Sequence, residues 1–204
     1  MSETNETTIQ SYDAHIQEYI EGTPQVVTGA VKEWIDASLA DLPHEAKILE
    51  LGTAFGRDAA YIEGLGYSVD RTDGTPGFVD WLQANGHQAR VLNAITDDIT
   101  GSYNLVFADA VLLHFTRPET QAVINKVYSA LSDNGKFAFS LKQGDGEGWS
   151  EEKLGAPRYF CYWDEASIKG LLQEAGFSDI DIGDDSTGHN NAKWLHIIAV
   201  KGQK

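Results

Sequence analysis

The stretch Lys47-Ile48-Leu49-Glu50-Leu51-Gly52-Thr53-Ala54-Phe55-Gly56-Arg57-Asp58-Ala59-Ala60 decides the fold. A short apolar run ends in an acidic residue, two glycines follow at close spacing, and a helical pattern begins. The reading is a buried strand, a tight turn and a helix start. Glycine lets the backbone turn sharply and approach a ligand where a Cβ would collide. Such a loop at the carboxyl end of a first parallel strand is the architecture of a nucleotide-type cofactor site. About 20 residues on, the run Tyr67-Ser68-Val69-Asp70-Arg71-Thr72 ends at Asp73-Gly74. An acid at the end of a second strand can accept hydrogen bonds from ribose hydroxyls. Loop and acid together point to a bound nucleoside.

The spacing of the loop separates two kinds of nucleoside cofactor. A dinucleotide fingerprint reads G-x-G-x-x-G and aims a helix N-terminus at a pyrophosphate. Here Gly52 and Gly56 are separated by Thr53-Ala54-Phe55, and Glu50 and Asp58 flank them. Those acids would repel a pyrophosphate, whereas a cationic sulfonium with an amino-acid tail would tolerate them and welcome one arginine.

Glu50-Leu51-Gly52-Thr53-Ala54-Phe55-Gly56 resembles the first motif of the class I S-adenosylmethionine-dependent methyltransferases, E/D-x-G-x-G-x-G, with alanine at the middle glycine. At Ala54 the backbone is expected to avoid positive φ. Arg57-Asp58-Ala59 resembles a variant of that family in which the arginine meets the methionyl carboxylate. Gln88-Ala89-Arg90-Val91-Leu92-Asn93-Ala94 looks like the third strand. Tyr103-Asn104-Leu105-Val106-Phe107-Ala108-Asp109 looks like the fourth, and Leu131-Ser132-Asp133-Asn134-Gly135-Lys136 like the turn before the fifth. The resemblance implies S-adenosylmethionine as cofactor and S-adenosylhomocysteine as product. It places Glu50, Gly52, Thr53, Gly56, Arg57, Asp58, Asp73, Gly74 and Ala108 in the cofactor site, with Asn93, Ala94 and Ile95 against the adenine.

The expected fold is α/β: a Rossmann-like, doubly wound sheet of seven mostly parallel strands with an antiparallel last strand and helices on both faces. Ser178 to Ile182 and Lys193 to Val200 are two strand runs without a helix between them, which suggests an antiparallel edge hairpin. Residues 1–8 are polar and expected to be disordered. Residues 9–42 read as an N-terminal helical lid, with apolar stripes at Ile16, Tyr19 and Ile20 and at Val27, Val31, Trp34, Ile35 and Leu39. Pro24 is placed in a first helical turn. Residues 43–204 form the cofactor-binding domain. Tyr12 and Tyr19 either cover the adenosyl or methionyl part of the cofactor or simply pack.

Composition narrows the partners. Fifteen basic against thirty-one acidic residues give a net charge of −16, which repels nucleic-acid backbones. The single cysteine, Cys161, has no intramolecular partner, and the polar start lacks the features of a secretory signal, so a cytoplasmic location is expected. No apolar run is long enough to cross a bilayer. The six histidines lack close ligand spacing, and no metal is expected.

Methyl transfer needs alignment of the nucleophile and, for a protonated one, a base. His114, after the fourth strand, is the candidate base. His15 either sits on a helix surface or touches substrate. Lys142 and Arg158 are a candidate anion clamp, with Tyr159 and Tyr162 beside them. Gly144-Asp145-Gly146-Glu147-Gly148-Trp149 reads as a mobile loop. The reading is a methyltransferase acting on oxygen, with a carboxylate favoured, or on nitrogen of a small and possibly anionic acceptor. The alternatives are an NAD(P)-dependent oxidoreductase and a non-catalytic domain that keeps the cofactor pocket.

Overall fold

The computed structural model describes residues 2–185 and 193–202. The central sheet holds β1 (Lys47–Leu51), β2 (Ser68–Asp73), β3 (Arg90–Val91), β4 (Tyr103–Ala108), β5 (Leu131–Lys142), β8 (Phe177–Asp185) and β9 (Trp194–Lys201). Their order is β3-β2-β1-β4-β5-β9-β8. The first five pair in parallel, and β9 runs antiparallel to both β5 and β8. Strand order reverses between β1 and β4, and in such sheets ligands bind beyond the carboxyl ends of the strands at that reversal.

The alternation of side chains explains why the sheet is covered on both faces. Ile48, Leu105 and Phe107 pack on one side with Trp34 and Ile35 of α3 (Gly29–Leu39) and Ile62 of α4 (Arg57–Gly64). Leu49, Val106, Phe137 and Phe139 pack on the other, with Val123 and Val127 of α6 (Arg117–Ala130) and Ile168 and Leu172 of α7 (Glu165–Ala175). Neighbouring residues of one strand therefore feed opposite cores, which is why the inner strands read as continuous apolar runs. α6 opens where the sequence places it: the Thr116 N–H donates to Glu119 Oε2 at 2.9 Å, and the Thr116 hydroxyl donates to the same oxygen at 2.8 Å.

Several local expectations are corrected. Residues 3–8 are not disordered; they belong to α1 (Glu3–Asp13), capped by Ser2, whose hydroxyl accepts the Asn5 N–H. The buried residues of α1 are polar, so no apolar period announces it: Asn5, Thr8 and Ser11 are all buried. Asn93 Nδ2 donates to Asn5 Oδ1 (2.7 Å), the Tyr159 N–H donates to Thr8 Oγ1 (3.0 Å), and Ser11 Oγ donates to the Pro157 carbonyl (2.6 Å). A short α2 (Ile16–Glu21) follows, and Pro24 lies in the loop before α3 rather than in a helix. The third strand keeps only two residues.

The glycine-rich segment is not wholly a loop. β6 (Glu147–Ser150) pairs antiparallel with β7 (Arg158–Cys161), apart from the main sheet. Trp149 faces Tyr159 across this pair, their rings edge-on at 5.7 Å, a stabilising cross-strand contact. Residues 186–192 of the connector before the last strand lie outside the described residues. Among the described residues no helix is long and apolar enough to cross a membrane.

Candidate active site

β1 leads into a turn that brings backbone close to its neighbours. Gly52 has φ +70°, and a Cβ there would lie 2.4 Å from Val111 Cγ2. Gly56 has φ +82° and Leu82 at 3.0 Å from the same hypothetical atom. Ala54 does not avoid positive φ: it sits at +48°. That conformation turns its N–H onto Asp73 Oδ2 at 2.8 Å, while the Thr75 N–H donates to Asp73 Oδ1 at 2.7 Å. The carboxylate is buried, which pushes its pKa up to about 6. A carboxylate has roughly four lone-pair positions, so each oxygen keeps acceptor capacity after these bonds.

Asp73 and Gly74 border a cavity that also touches Tyr12, Tyr19, Gly52, Asn93, Ala94 and His114. A second cavity shares Tyr19, Gly52, Asp109 and Ala110 with it and adds Thr53, Arg57 and Asp58. Glu50, Gly56, Ile95 and Ala108 border neither. The Ile95 N–H is taken by Asn93 Oδ1 and its carbonyl by Lys126 Nζ, and Ala108 is buried as the last residue of β4. The residues that do form the wall there are Asp109, Ala110 and Val111, one step beyond the strand. An acid directly after a buried apolar strand was the available signal.

Acidic groups dominate the loop end. Arg57 Nε and Nη2 grip the two oxygens of Asp58 at 2.7 and 3.1 Å, and Nη2 also reaches Asp109 Oδ2 at 3.0 Å. Its fork is thus engaged by carboxylates of the chain itself. Asp109 Oδ1 accepts from Ser140 Oγ at 2.6 Å, and that hydroxyl accepts the Ala110 N–H. Burial, then the charge of Asp109, raises Asp58 to about 6. Burial, then the charge of Asp58, raises Glu50 to about 8. Glu50 Oε2 and Thr53 Oγ1 are buried without a hydrogen-bond partner.

At the other end the lid meets the fourth strand's exit. His114 Nδ1 lies 2.6 Å from the Tyr159 carbonyl and Nε2 lies 2.9 Å from the Tyr12 hydroxyl. A carbonyl only accepts, so Nδ1 carries the proton and Nε2 accepts from Tyr12. Burial holds the imidazole pKa down at about 3. Arg158 Nη1 donates to the same tyrosine oxygen at 3.1 Å, and Nη2 to the Glu152 carbonyl. Lys142 Nζ lies 4.4 Å from the Phe160 ring centroid. His15 Nδ1 bonds the Ser11 carbonyl at 2.8 Å. Tyr162 is held through its backbone, its N–H on the Gly146 carbonyl and its carbonyl on Arg117 Nη2 at 3.1 Å. His15, Lys142, Arg158, Tyr159 and Tyr162 border neither cavity.

A family model described as a methyltransferase domain matches residues 20–182. The chain belongs to that methyltransferase family. No curated protein matches it in sequence. The 1,6-didemethyltoxoflavin-N1-methyltransferase of Burkholderia thailandensis, solved with 1,6-didemethyltoxoflavin and S-adenosylhomocysteine, is similar at TM-score 0.73 and 19% identity, over 98% of this chain and 87% of that one. The magnesium protoporphyrin IX methyltransferase of Synechocystis PCC 6803, solved with S-adenosylmethionine, is similar at TM-score 0.73 and 16% identity, over 99% of both chains. The phosphoethanolamine N-methyltransferase 2 of Haemonchus contortus is similar at TM-score 0.76 and 14% identity; this chain spans 61% of its length. At such identities the likeness is one of fold. The methyltransferase-domain match begins after α1, so Tyr12, which completes the bond to His114, comes from outside the matched region.

Proposed function

We propose that this methyltransferase uses S-adenosylmethionine to methylate an oxygen or nitrogen of a small-molecule acceptor, with α1 and α2 as the lid. The carrying observation is that one cavity brings together the glycine turn, Asp73 and the Tyr12–His114 pair. The residues present suit the cofactor. Asp73 retains acceptor capacity for ribose hydroxyls. The carboxylates of Asp58 and Asp109, which line the second cavity, favour a cation and an ammonium group. Asn93, bonded to Asn5 of α1, and Ala94 line the same cavity and would meet the adenine. When bound, S-adenosylmethionine supplies a methyl group already activated on a sulfonium.

The chain then has to orient the acceptor and keep water out. Tyr12 faces the cavity with its hydroxyl fixed between His114 and Arg158. His114 acts with Tyr12 as a polar pair rather than as a lone base, because its accepting nitrogen is already bonded and burial disfavours its cation. Such a pair suits a carboxylate or amine acceptor, which needs no strong base.

Calorimetric titration with S-adenosylmethionine, S-adenosylhomocysteine and NAD tests the cofactor. Binding of the first two without NAD is expected. Binding of NAD alone, or of none of the three, would overturn the assignment of the loop.

A further inference from the structure

We infer that Lys142, Lys153 and Arg158 form one receptor for a dianionic head group on the acceptor: a phosphate monoester or a pair of carboxylates. The inference rests on reading the adjoining cavity as the methyl-transfer site.

Among the described residues these three cations lack a paired carboxylate although acids are plentiful. Acidic residues outnumber basic ones by thirty-one to fifteen. Lys32, Arg57, Arg71 and Arg90 each lie within 3.0 Å of a carboxylate oxygen. Among the described residues, Lys142, Lys153 and Arg158 have no carboxylate at ion-pair distance. Of the other lysines without an acid, Lys126 Nζ meets three carbonyls, Lys136 and Lys201 Nζ two each, and Lys47, Lys169 and Lys193 are exposed to solvent. Lys142 has no hydrogen-bond acceptor among the described residues, and Lys153 has only Thr23 Oγ1, at 2.7 Å.

The three cations share one aromatic patch. Lys142 Nζ and Arg158 Cζ lie 4.4 and 5.2 Å from the centroid of the Phe160 ring. Arg158 Cζ is also 5.5 Å from the Tyr12 ring, and Lys153 Nζ is 4.0 Å from the Tyr19 ring. Tyr12 and Tyr19 pack edge to face at 5.4 Å. Tyr12, bonded to His114, and Tyr19 line the proposed methyl-transfer cavity, so the three charges stand behind its aromatic wall rather than in it.

Arg158 is 5% exposed, and its Nε is buried without a partner. A buried cation without an anion is strongly disfavoured. The like charges also act on one another. Lys153 is exposed at the surface, yet partial desolvation among these side chains, then the charges of Arg158, Arg57 and Lys142, lowers it to about 8. Burial, then Arg158, lowers Lys142, with Glu152 opposing from beyond ion-pair distance. Lys153 further sits at φ +76°, a strained conformation for a lysine and one that accumulates at functional sites. One negative charge would leave two cations uncompensated; a dianion neutralises most of the receptor.

The test titrates the protein with inorganic phosphate and with malonate at constant ionic strength, using chloride as control, with and without S-adenosylhomocysteine. One or both anions should bind, and Lys153→Gln should weaken that binding about tenfold, the loss of one charge-assisted contact. Lys153→Gly removes the same amine while relieving the backbone, so a folded variant is available if the glutamine variant is unstable. Lys47→Gln, at the start of β1, should leave anion affinity unchanged. Tighter phosphate binding would assign a phosphate monoester, and tighter malonate binding a dicarboxylate. Anion binding without S-adenosylhomocysteine binding would support the receptor and sink the cofactor reading. Anions no tighter than chloride, or an unchanged affinity in both Lys153 variants, would overturn the inference.

Discussion

Ala54 stands where the methyltransferase motif has a glycine, and it adopts a glycine-like conformation at φ +48°. An L-residue in this region costs about 1–2 kcal/mol. Ala54→Gly removes that strain, while the added freedom of glycine in the unfolded chain costs about 0.4–1 kcal/mol. The bond from the residue 54 N–H to Asp73 Oδ2, at 2.8 Å, is a backbone bond and survives the change. The net effect is a stabilisation of about 0.5–1 kcal/mol. For a domain of this size that raises Tm by roughly 1–4 °C. The assay is thermal unfolding followed by circular dichroism, with denaturant unfolding as a second measure. Ala54→Val, which puts a β-branched side chain at the same φ, should lower Tm. A lower or unchanged Tm for Ala54→Gly would refute the strain argument, and with it the turn that aims this N–H at Asp73.

Asp73→Asn offers one carbonyl oxygen to two backbone donors, Ala54 N–H and Thr75 N–H. It should lose about 1–3 kcal/mol of stability and weaken S-adenosylhomocysteine binding, and unchanged affinity in calorimetry would remove Asp73 from the site. Tyr12→Phe leaves His114 Nε2 and Arg158 Nη1 without their shared partner. Its kcat/KM should fall about 10- to 100-fold, more than the S-adenosylhomocysteine affinity; an effect on Tm alone would make the pair structural. Glu50, raised to about 8 by burial and Asp58, holds its proton in the folded protein at pH values where the unfolded chain has released it. Stability should therefore fall as pH rises from 6.5 to 8, by roughly 1–2 kcal/mol. His114, lowered to about 3, acts in the opposite sense only below its ordinary value. Glu50→Gln should flatten this fall in Tm, and a wild-type Tm that is level or rising across the window would refute the assignment. Lys153, lowered to about 8, should make KM for an anionic acceptor rise above pH 8, and a flat KM up to pH 9.5 would exclude a charged Lys153 from acceptor binding.

The parts of this protein that were legible in sequence are those set by local pattern. β1 and its turn, Asp73 at the end of β2, the capping residues of α6 and the terminal antiparallel strands all follow from residue type and short spacing. The parts that were not legible depend on partners far along the chain. α1 looks disordered alone because its buried face is Asn5, Thr8 and Ser11 rather than an apolar stripe. The groups that satisfy Asn5 and Thr8 lie 88 and 151 residues away. His114 was visible as a candidate, but its bond to Tyr12 spans 102 residues. Lys153 carried no motif at all. Its interest arises only from the company of Lys142 and Arg158, which the fold supplies through β5 and β7.

The arrangement of charge along the site gives these separate features one logic. At the glycine turn, Asp58 and Asp109 engage the fork of Arg57, and Asp73 lies buried against the turn's backbone. At the lid end, three cations gather with no carboxylate at ion-pair distance among the described residues, Glu152 acting on Lys142 only from farther away. In a chain of net charge −16, a random surface would place acids at both ends. On the proposed reaction the division is what the chemistry requires. A sulfonium donor is cationic and its thioether product is neutral, so an acidic end holds the donor more tightly than the spent product. An anionic acceptor belongs at the opposite end, where it is drawn to the three cations and kept from the carboxylates. Reversing either end removes a different discrimination. Neutralising Asp58 and Asp109 should narrow the preference for donor over product, whereas neutralising Lys142 or Lys153 should change which acceptors bind and leave that preference in place.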